Sequence, residues 1–326
     1  MLDLSRRIVL AGLCAVLPLA ARAQPAYPAR PITMIIPFAA GGPTDTVGRL
    51  IAEAMGRDLG QTIVVENVGG AGGTLGAQRV ATARPDGYTV LLHHIGMATT
   101  PTLYRRLAYD PVNGFETLGM VTEVPMTLVG RRNLPAANMQ ELITLVRRER
   151  EGLNYANAGI GAASHLCGLL FMSALQSPMT TVPYRGTGPA MNDLVAGTVD
   201  LMCDQTTNTT EQIRGGSIRA YSVTTPQRVP SLPDVPTAAE GGLPNFEVTV
   251  WHGLYAPRNT PAAIADRLNR ALVFALRDPG IARRFGDLGT TPIQVERATR
   301  EEHRRFWTAD IAKWRPLIQA AGQFAD

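Results

Sequence analysis

Short β-rich runs, glycine-rich turns and amphipathic helical patterns follow one another along nearly the whole chain, and this alternation constrains the fold most strongly. The run at residues 32–38 passes through the turn at 39–45 into a helical pattern. The run at 63–67 passes through a second turn at 68–74 into another helix, and a third run follows at 88–92. Strands that alternate with helices in this way predict an α/β fold with doubly wound parallel sheets.

The same alternation continues through the middle and the C-terminal part of the chain. Helical periodicity predicts helices at 139–149, 262–276 and 301–321. Further short runs predict strands at 127–129, 153–156, 181–184, 199–204, 218–223 and 248–251. The sequence contains no repeat of fixed short period and no low-complexity tract.

Length and composition agree with a globular protein of more than one domain. The chain has 326 residues, of which 45% are hydrophobic and 18% charged. This length allows two sizeable cores and excludes a disordered chain or a disulfide-rich miniprotein. The net charge of +4 is spread along the sequence. We therefore expect no nucleic-acid partner, because such proteins concentrate basic residues on one face.

The first 23 residues have the pattern of a secretory signal peptide. Arg6 and Arg7 precede an apolar run at 8–20, and Ala21-Arg22-Ala23 supplies small residues for cleavage after Ala23. The apolar run is shorter than the roughly 20 residues that a membrane span needs. We expect export to the periplasm, by the Sec route or, given the paired arginines, by the twin-arginine route.

The exported chain keeps two cysteines, Cys167 and Cys203. An oxidising compartment would permit a disulfide between them. Their spacing matches no known disulfide framework, so we expect two buried thiols instead.

Three strand-to-helix turns, at 39–45, 159–165 and 184–188, share the features of an anion site. Glycines allow close approach of the backbone to a ligand, and the first N–H groups of a helix have no partner inside it. Those donors and the positive end of the helix dipole attract anions. Thr44 and Ser164 add hydroxyl groups near two of the helix starts. Each turn alone fits ordinary capping, but three together favour a carboxylate- or phosphate-binding cleft.

Motifs for catalysis, cofactors and metals are missing or incomplete. The turn at 70–76 carries Leu75 where the dinucleotide fingerprint requires its third glycine. There is no G-x-S-x-G, S-x-x-K or H-E-x-x-H motif. His93 and His94 are adjacent, which on a strand directs their side chains to opposite faces and argues against a shared metal. We expect no enzyme activity, no cofactor and no metal site.

A series of short motifs extends over the mature chain. They are Tyr27-Pro28, Pro31-Ile32, 37–45, 65–67, 70–73, 85–88, 103–104, 109–111, 164–166, 182–186, 189–190, 193–194, 197–200 and 251–257. In kind and in order, these segments resemble the motifs of the solute-binding proteins of tripartite tricarboxylate transporters, also called the Bug family.

That resemblance implies a periplasmic-binding-protein fold of type II, in which two doubly wound α/β lobes are joined by crossing hinge strands. One lobe would combine residues 24–124 with 247–326, and the other would contain 125–246. The ligand would lie between the lobes. Matching the family motifs places the following residues at the ligand: Ala40, Gly41, Gly42, Thr44 and Asp45 on one side, Gly161, Ala162, Ser164 and His165 on the other, and Tyr184, Arg185, Gly186 and Asp204 as further wall.

The segment at 93–100 departs from the small, hydroxyl-rich stretch of the family. It either tunes specificity, with Thr99 as a ligand contact, or packs at the end of a sheet. Asp45 and Asp204 would accept hydrogen bonds from water, from backbone N–H groups or from a ligand ammonium group. The Arg185 guanidinium suits a carboxylate, but a surface ion pair explains it as well.

The resemblance implies a monomeric receptor that captures an organic carboxylate and delivers it to an inner-membrane tripartite tricarboxylate permease. The carboxylate could be a di- or tricarboxylate, an aromatic acid or an acidic amino acid. Two alternatives remain at this point. The receptor could inform a two-component kinase, or the chain could be an exported α/β enzyme with a small anionic substrate.

Overall fold

The computed structural model describes residues 27–321, 324 and 325. The predicted signal peptide lies outside these residues. The strands are β1 (Ile32–Ile36), β2 (Ile63–Asn67), β3 (Thr89–His94), β4 (Phe115–Arg131), β5 (Asn154–Asn157), β6 (Thr180–Pro183), β7 (Leu201–Gln205), β8 (Ile218–Val223), β9 (Thr249–Pro257) and β10 (Thr291–Pro292). The helices are α1 (Pro43–Leu59), α2 (Thr74–Ala81), α3 (Gly96–Leu103), α4 (Met139–Glu149), α5 (Ala163–Leu175), α6 (Thr187–Ala196), α7 (Thr206–Arg214), α8 (Ala262–Leu276), α9 (Pro279–Asp287) and α10 (Arg300–Ala321). Short 3₁₀ helices occupy Ala71–Gly73, Arg150–Gly152 and Val295–Arg297.

The strands form one curled sheet whose order is β2-β1-β3-β9-β4-β7-β5-β6. Strands β2, β1 and β3 are parallel, as are β6, β5 and β7, whereas β4 and β9 run antiparallel to their neighbours. The short strand β10 and the strand β8 also pair with β4. Each end of the sheet is therefore a separate parallel unit, which is the predicted α/β architecture with two lobes.

Strand β4 belongs to both lobes. Its first part, Phe115–Pro125, pairs with β9, and its second part, from Met126 onward, pairs with β7 and β8. We call β1, β2, β3, β9 and β10 with their helices the first lobe, and β5 to β8 with theirs the second lobe. The predicted boundaries at 124/125 and 246/247 stay a prediction.

The two chain crossings between the lobes are hydrogen-bonded at Thr224. The backbone N–H of Thr224 donates to the carbonyl of Met126, and its own carbonyl accepts from Val248 N–H. The Thr224 hydroxyl bonds the Met126 and Val248 carbonyls. A buried threonine thus joins β4 to the chain segment that returns to β9.

Each lobe buries apolar residues between its strands and helices. In the first lobe, β1 and β3 are buried on both faces, with Ile35 and Leu91 fully inaccessible, as expected for parallel strands between helices. In the second lobe, Val129, Ala156 and Met202 form a cluster beneath α6. Among the described residues no helix is both long and apolar enough to cross a membrane.

Cys167 and Cys203 form a disulfide, so the expectation of two buried thiols is wrong. Cys167 lies on α5 and Cys203 on β7, and their Cα atoms are 6.0 Å apart. That separation is within the range that a disulfide spans. The helix packs on the strand and brings together two residues that are 36 positions apart in sequence, a proximity that the spacing alone does not reveal.

Candidate ligand-binding cleft

A small cavity lies between the lobes, where the carboxyl ends of strands from both parallel units meet. Its volume is about 10 Å³, about the space of one water molecule. A larger groove beside α8 is open to solvent and lined by Phe274, Arg270 and Arg277, away from these strand ends. The residues that line the interlobe cavity are Phe38, Gly42, Pro43, Thr44, His94, Ala158, Ala163, Ser164, Thr187, Asp204 and Gln205.

Four helices direct their N-termini at this cavity. Helix α1 begins at Pro43, α5 at Ala163 and α6 at Thr187, and all three residues line it. The fourth helix, α7, follows directly on Gln205. The positive ends of four helix dipoles therefore lie around one small volume, together with backbone N–H groups that have no helical partner. Such an arrangement attracts an anion without a charged side chain.

On the side of the first lobe, Asp45 holds the turn before α1 in shape. Its carboxylate accepts hydrogen bonds from Gly41 N–H at 3.0 Å, Arg49 at 2.9 Å and Asn67 at 2.9 Å. Burial alone would raise the pKa of Asp45, but the bonds from Arg49, Gly41 and Asn67 outweigh burial and lower it. Asp45 is therefore an ionised acceptor for the backbone, one of the roles expected from the sequence, and Asn67 is a partner that the sequence analysis did not identify.

On the side of the second lobe, Ser164 and His165 hold the turn before α5. The Ser164 hydroxyl oxygen accepts Ala158 N–H at 2.9 Å, and its hydrogen remains available to the cavity that Ser164 lines. His165 Nδ1 accepts Gly161 N–H at 3.3 Å. Burial lowers the pKa of His165 to about 4, so its ring is neutral at physiological pH. Ser164 is placed to contact a ligand, whereas His165 shapes the loop.

His93 and His94 do not lie on opposite faces, so that part of the sequence interpretation is wrong. His94 is the last residue of β3, and the chain turns directly into α3. The two rings are 4.9 Å apart, and both contact the ring of Phe38. Among the described residues there is still no group of three or more His, Cys, Asp or Glu side chains placed to hold a metal.

His94 is a neutral hydrogen-bond donor at the cavity wall. Its Nδ1 accepts Gly96 N–H at 2.9 Å, which leaves the ring hydrogen on Nε2. Burial lowers the pKa of His94 to about 3. Its ring stacks on Phe38 with centroids 4.6 Å apart, which fixes its orientation. Nearby, His252 Nε2 lies 3.3 Å from the Thr44 hydroxyl, behind the same wall.

Asp204 lies at the end of β7 and is 1% exposed. Its carboxyl group accepts Asn208 Nδ2 at 2.6 Å. Burial raises the pKa of Asp204 to about 6, against the lowering effect of hydrogen bonds from Asn208, Gln205 N–H and the Thr187 hydroxyl. Gln205 beside it has a buried side-chain oxygen without a partner.

The two lobes touch along a seam formed by Ala39–Gly42 and Arg185–Gly188. Ala39 N–H donates to the carbonyl of Arg185 at 2.9 Å. A Cβ on Gly188 would lie 2.8 Å from the Ala40 carbonyl oxygen, so only glycine fits there. Beside this seam, the Thr99 hydroxyl donates to Gly161 O and the Tyr104 hydroxyl to Ile160 O. The lobes therefore meet backbone to backbone next to the cavity.

The structure sorts the predicted site residues into three groups. Those that line the cavity are Gly42, Thr44, Ser164 and Asp204. Those that form the seam or shape the turns are Ala40, Gly41, Asp45, Thr99, Gly161, Ala162, His165, Arg185 and Gly186. Tyr184 instead donates its hydroxyl to Asp193 at 2.6 Å, and the Arg185 side chain is exposed, with only its backbone carbonyl in the seam.

Several cavity-lining residues lie within the predicted turns but were not named as ligand contacts: Pro43, Ala163 and Thr187. Thr187 is the first residue of α6, and its hydroxyl in the turn at 184–188 was a signal that the sequence analysis did not use. Gln205 precedes a helix that the sequence did not predict. The full set that was missed is Phe38, Pro43, His94, Ala158, Ala163, Thr187 and Gln205.

The fold and the cleft define a two-lobed solute-binding protein. Residues 47–323 match the family described as "Tripartite tricarboxylate transporter family receptor". The chain belongs to this family, as the motifs indicated, and the family is one of receptors and not of enzymes. A relative from Agrobacterium vitis, the UPF0065 protein in the TAR-I ttuE-ttuC' intergenic region, is 48% identical over 319 residues, which is 98% of this chain and 92% of the relative.

Solved structures of similar proteins share the whole fold. The periplasmic binding protein BugD is 48% identical, with a TM-score of 0.90 over 92% of this chain and 100% of its own. MatC from Rhodopseudomonas palustris, solved with bound malate, is 41% identical, with a TM-score of 0.87 over 90% of this chain and 100% of its own. Another R. palustris protein, solved with adipate, is 33% identical, with a TM-score of 0.86 over 91% of this chain and 98% of its own.

Proposed function

We propose that this protein captures a short organic dicarboxylate between its lobes in the periplasm and delivers it to a tripartite tricarboxylate permease. The observation that carries the proposal is the convergence of four helix N-termini on one cavity. Within the described residues, the cavity lining contains no lysine or arginine. Helix dipoles, backbone N–H groups and hydroxyl groups thus provide the attraction for a carboxylate.

Within this proposal, the cavity-lining side chains contact the ligand directly. Thr44, Ser164 and His94 each present a hydroxyl or ring N–H that can donate to a carboxylate. The Thr187 hydroxyl, which bonds Asp204 here, lies on the same wall. The remaining predicted site residues act through the backbone, by shaping the turns or by closing the seam. A ligand larger than one water molecule needs the turns to separate further than they do here. Within the proposal, bending at the two chain crossings near Thr224 provides that movement.

The choice of a dicarboxylate rests on the similar proteins. MatC was solved with malate and the second R. palustris protein with adipate, and the two align with 90% and 91% of this chain. Monocarboxylates, aromatic acids and acidic amino acids present the same head group to the turns. A binding screen therefore has to include them.

The test is a thermal-shift screen of residues 24–326 against malate, adipate, citrate, benzoate and glutamate, followed by calorimetric titration of the acids that shift the transition. A ligand at 100 times its dissociation constant stabilises the folded state by about 2.7 kcal/mol, or a few degrees for a chain of this length. We expect the largest shift with malate or adipate and no shift with their neutral diamides. A well-folded protein that responds to none of the acids contradicts the proposal.

A pair of threonine variants localises the binding. Thr187→Val keeps the side-chain shape but removes a hydroxyl from the cavity wall, and it is expected to weaken binding about 3- to 10-fold. Thr198→Val removes a hydroxyl from an exposed site just after α6 and should leave binding unchanged. Equal affinities of the two variants would place the ligand elsewhere.

A further inference from the structure

We propose that Asp204 is a ligand contact that takes up a proton when the dicarboxylate binds, so that capture consumes one proton from solvent. This inference rests on the proposed function, since it concerns the same cleft. The proton moves from bulk water to the Asp204 carboxylate, and no other bond forms or breaks. The complex then contains a protonated Asp204 that donates a hydrogen bond to the ligand carboxylate.

When a ligand carboxylate enters the cavity, the position of Asp204 brings two acidic groups into one small volume. Its side chain is 1% exposed and lines the same cavity as Ser164 and Thr187. The partners that its carboxyl group has, Asn208, Gln205 N–H and the Thr187 hydroxyl, are all uncharged. A ligand carboxylate held by the helix N-termini therefore comes to lie beside a carboxylate that no cation neutralises.

Asp45, the buried acid on the opposite side of the cleft, shows the contrasting case. Its carboxylate accepts a hydrogen bond from Arg49 at 2.9 Å, and its pKa is lowered. Among the described residues no cation bonds the Asp204 carboxyl group, and burial raises its pKa to about 6. Two like charges that share a buried site raise the pKa of one of them further. The proton therefore goes to Asp204 when a second anion arrives.

The titratable groups on the elements around the cleft do not change the direction of this pKa shift. The histidines among them are held neutral because burial lowers their pKa, and the pKa of Tyr155 is raised. On β4 and α6, Arg131 pairs with Asp200, Glu123 with Arg297, and Asp193 with Tyr184. His94 on β3 lines the cavity together with Asp204, and Tyr155 on β5 interacts with Asp204 electrostatically. Further titratable groups on the neighbouring elements are His165 on α5, His252 on β9, Asp193 on α6 and Asp45 on α1.

Proton uptake gives the affinity a definite pH dependence. The free protein has Asp204 mostly protonated below pH 6 and mostly ionised above it. If the complex holds Asp204 protonated, the dissociation constant is nearly constant below pH 6 and rises about tenfold per unit well above it, or about 50-fold between pH 6 and pH 8. The raised pKa in the complex thus makes binding stronger at lower pH.

The experiment is calorimetric titration of residues 24–326 with malate and with adipate at pH 6, 7 and 8, at pH 7 in both phosphate and Tris. The difference in apparent enthalpy between the two buffers counts protons, and we expect about 0.9 proton taken up per ligand at pH 7. Asp204→Asn should bind with nearly the same affinity at all three pH values. The proton count in the unaltered protein decides the question even if that variant does not fold.

Asp310→Asn is the matched control. Asp310, on α10, is a second buried carboxyl group whose pKa is raised by burial. It accepts a hydrogen bond from Trp251 Nε1–H at 2.8 Å. It does not line the cavity. This variant should keep the full pH dependence and proton uptake of the unaltered protein.

Two results overturn the inference while the receptor function stands. One is binding of malate or adipate with no proton uptake and a flat pH profile. The other is binding of glutamate alone, again without proton uptake, because an ammonium group would pair with the ionised Asp204. A folded protein that binds none of these acids at any pH contradicts the proposed function itself, and the inference falls with it.

Discussion

At the scale of single residues, the cleft combines uncharged donors with one acid, and His94 is the donor whose state the structure fixes most firmly. Its Nδ1 is occupied by Gly96 N–H, and its ring is stacked on Phe38. The ring therefore presents Nε2–H in one orientation. His93 also accepts a backbone N–H, from His94 at 2.7 Å, but it does not line the cavity.

This difference makes the two histidines a matched pair for mutation. His94→Phe keeps the ring but removes the donor, and it is expected to weaken dicarboxylate binding about 3- to 10-fold, the worth of one neutral hydrogen bond. His93→Phe likewise removes a ring nitrogen that accepts a backbone N–H, but at a position that does not line the cavity. Both variants should lower the melting temperature, but only His94→Phe should raise the dissociation constant measured by calorimetry. Equal dissociation constants in the two variants would remove His94 from the list of ligand contacts.

The sequence could indicate which residue types approach a ligand, but not the side chains that complete the wall. Thr44 and Ser164 were identified because a hydroxyl beside a helix start has a recognisable position, and both line the cavity. His94 was not named, although a role in specificity stayed open for the segment at 93–100, because a strand pattern assigned alternating faces to two adjacent histidines. The turn into α3 directly after His94 removes that alternation, and nothing in the local sequence marks it.

At the scale of elements, the second lobe contributes to the cavity through α5 and β7, which the disulfide joins. Cys167 follows Ser164 by three residues on α5, and Cys203 directly precedes Asp204 on β7. The bridge therefore ties together the two elements that carry the cavity-lining residues Ser164 and Asp204.

Removal of the bridge should destabilise the second lobe. In the chain-entropy description, a loop of 36 residues corresponds to about 3 to 4 kcal/mol of unfolding free energy. We expect the double variant Cys167→Ala, Cys203→Ala to have a free energy of unfolding that is lower by that amount. It should therefore unfold at a lower urea concentration. Dithiothreitol should lower the midpoint of the unaltered protein and leave that of the variant unchanged. A midpoint that is equal in all four samples would show that the thiols are not bridged in solution.

Elements with clear periodicity could be predicted from the sequence, and those defined by tertiary contacts could not. Met139–Glu149 and Ala262–Leu276 are helices with the predicted bounds. Helix α7 was missed because its threonines favour strands when considered locally. In the structure Thr209 bonds the Thr127 hydroxyl of β4 and Thr206 bonds the Gly289 carbonyl, so contacts with other elements stabilise this helix.

At the scale of the whole molecule, the seam between the lobes depends on backbone approach. Gly188 lies within the first turn of α6 and has helical geometry, so a side chain there is harmless to its own helix. The added Cβ would instead meet the Ala40 carbonyl oxygen at 2.8 Å and the Gly42 nitrogen at 3.1 Å in the opposite lobe. The clash affects only the contact between the lobes.

Gly188→Ala should therefore hinder closure without unfolding either lobe. We expect at least a tenfold loss of dicarboxylate affinity, an unchanged melting temperature without ligand, and a smaller decrease in the radius of gyration on ligand addition, measured by small-angle X-ray scattering. Gly286→Ala, on α9 with no atom within 4 Å of the added Cβ, is the control and should bind normally. If Gly188→Ala closes and binds as well as this control, the seam does not limit closure.

The separation between seam and cavity wall has a consequence for redesign of this protein. The seam is made of glycine and backbone atoms, whereas the chemical character of the cavity comes from side chains such as His94, Thr187 and Gln205. The backbone atoms that join the lobes and the side chains that face the cavity are thus separate groups of atoms, even at Thr187, which lies in the seam segment. If the lobes close on the ligand as proposed, a biosensor for another acid could be evolved by randomising the cavity side chains alone, with the closing movement kept as the signal.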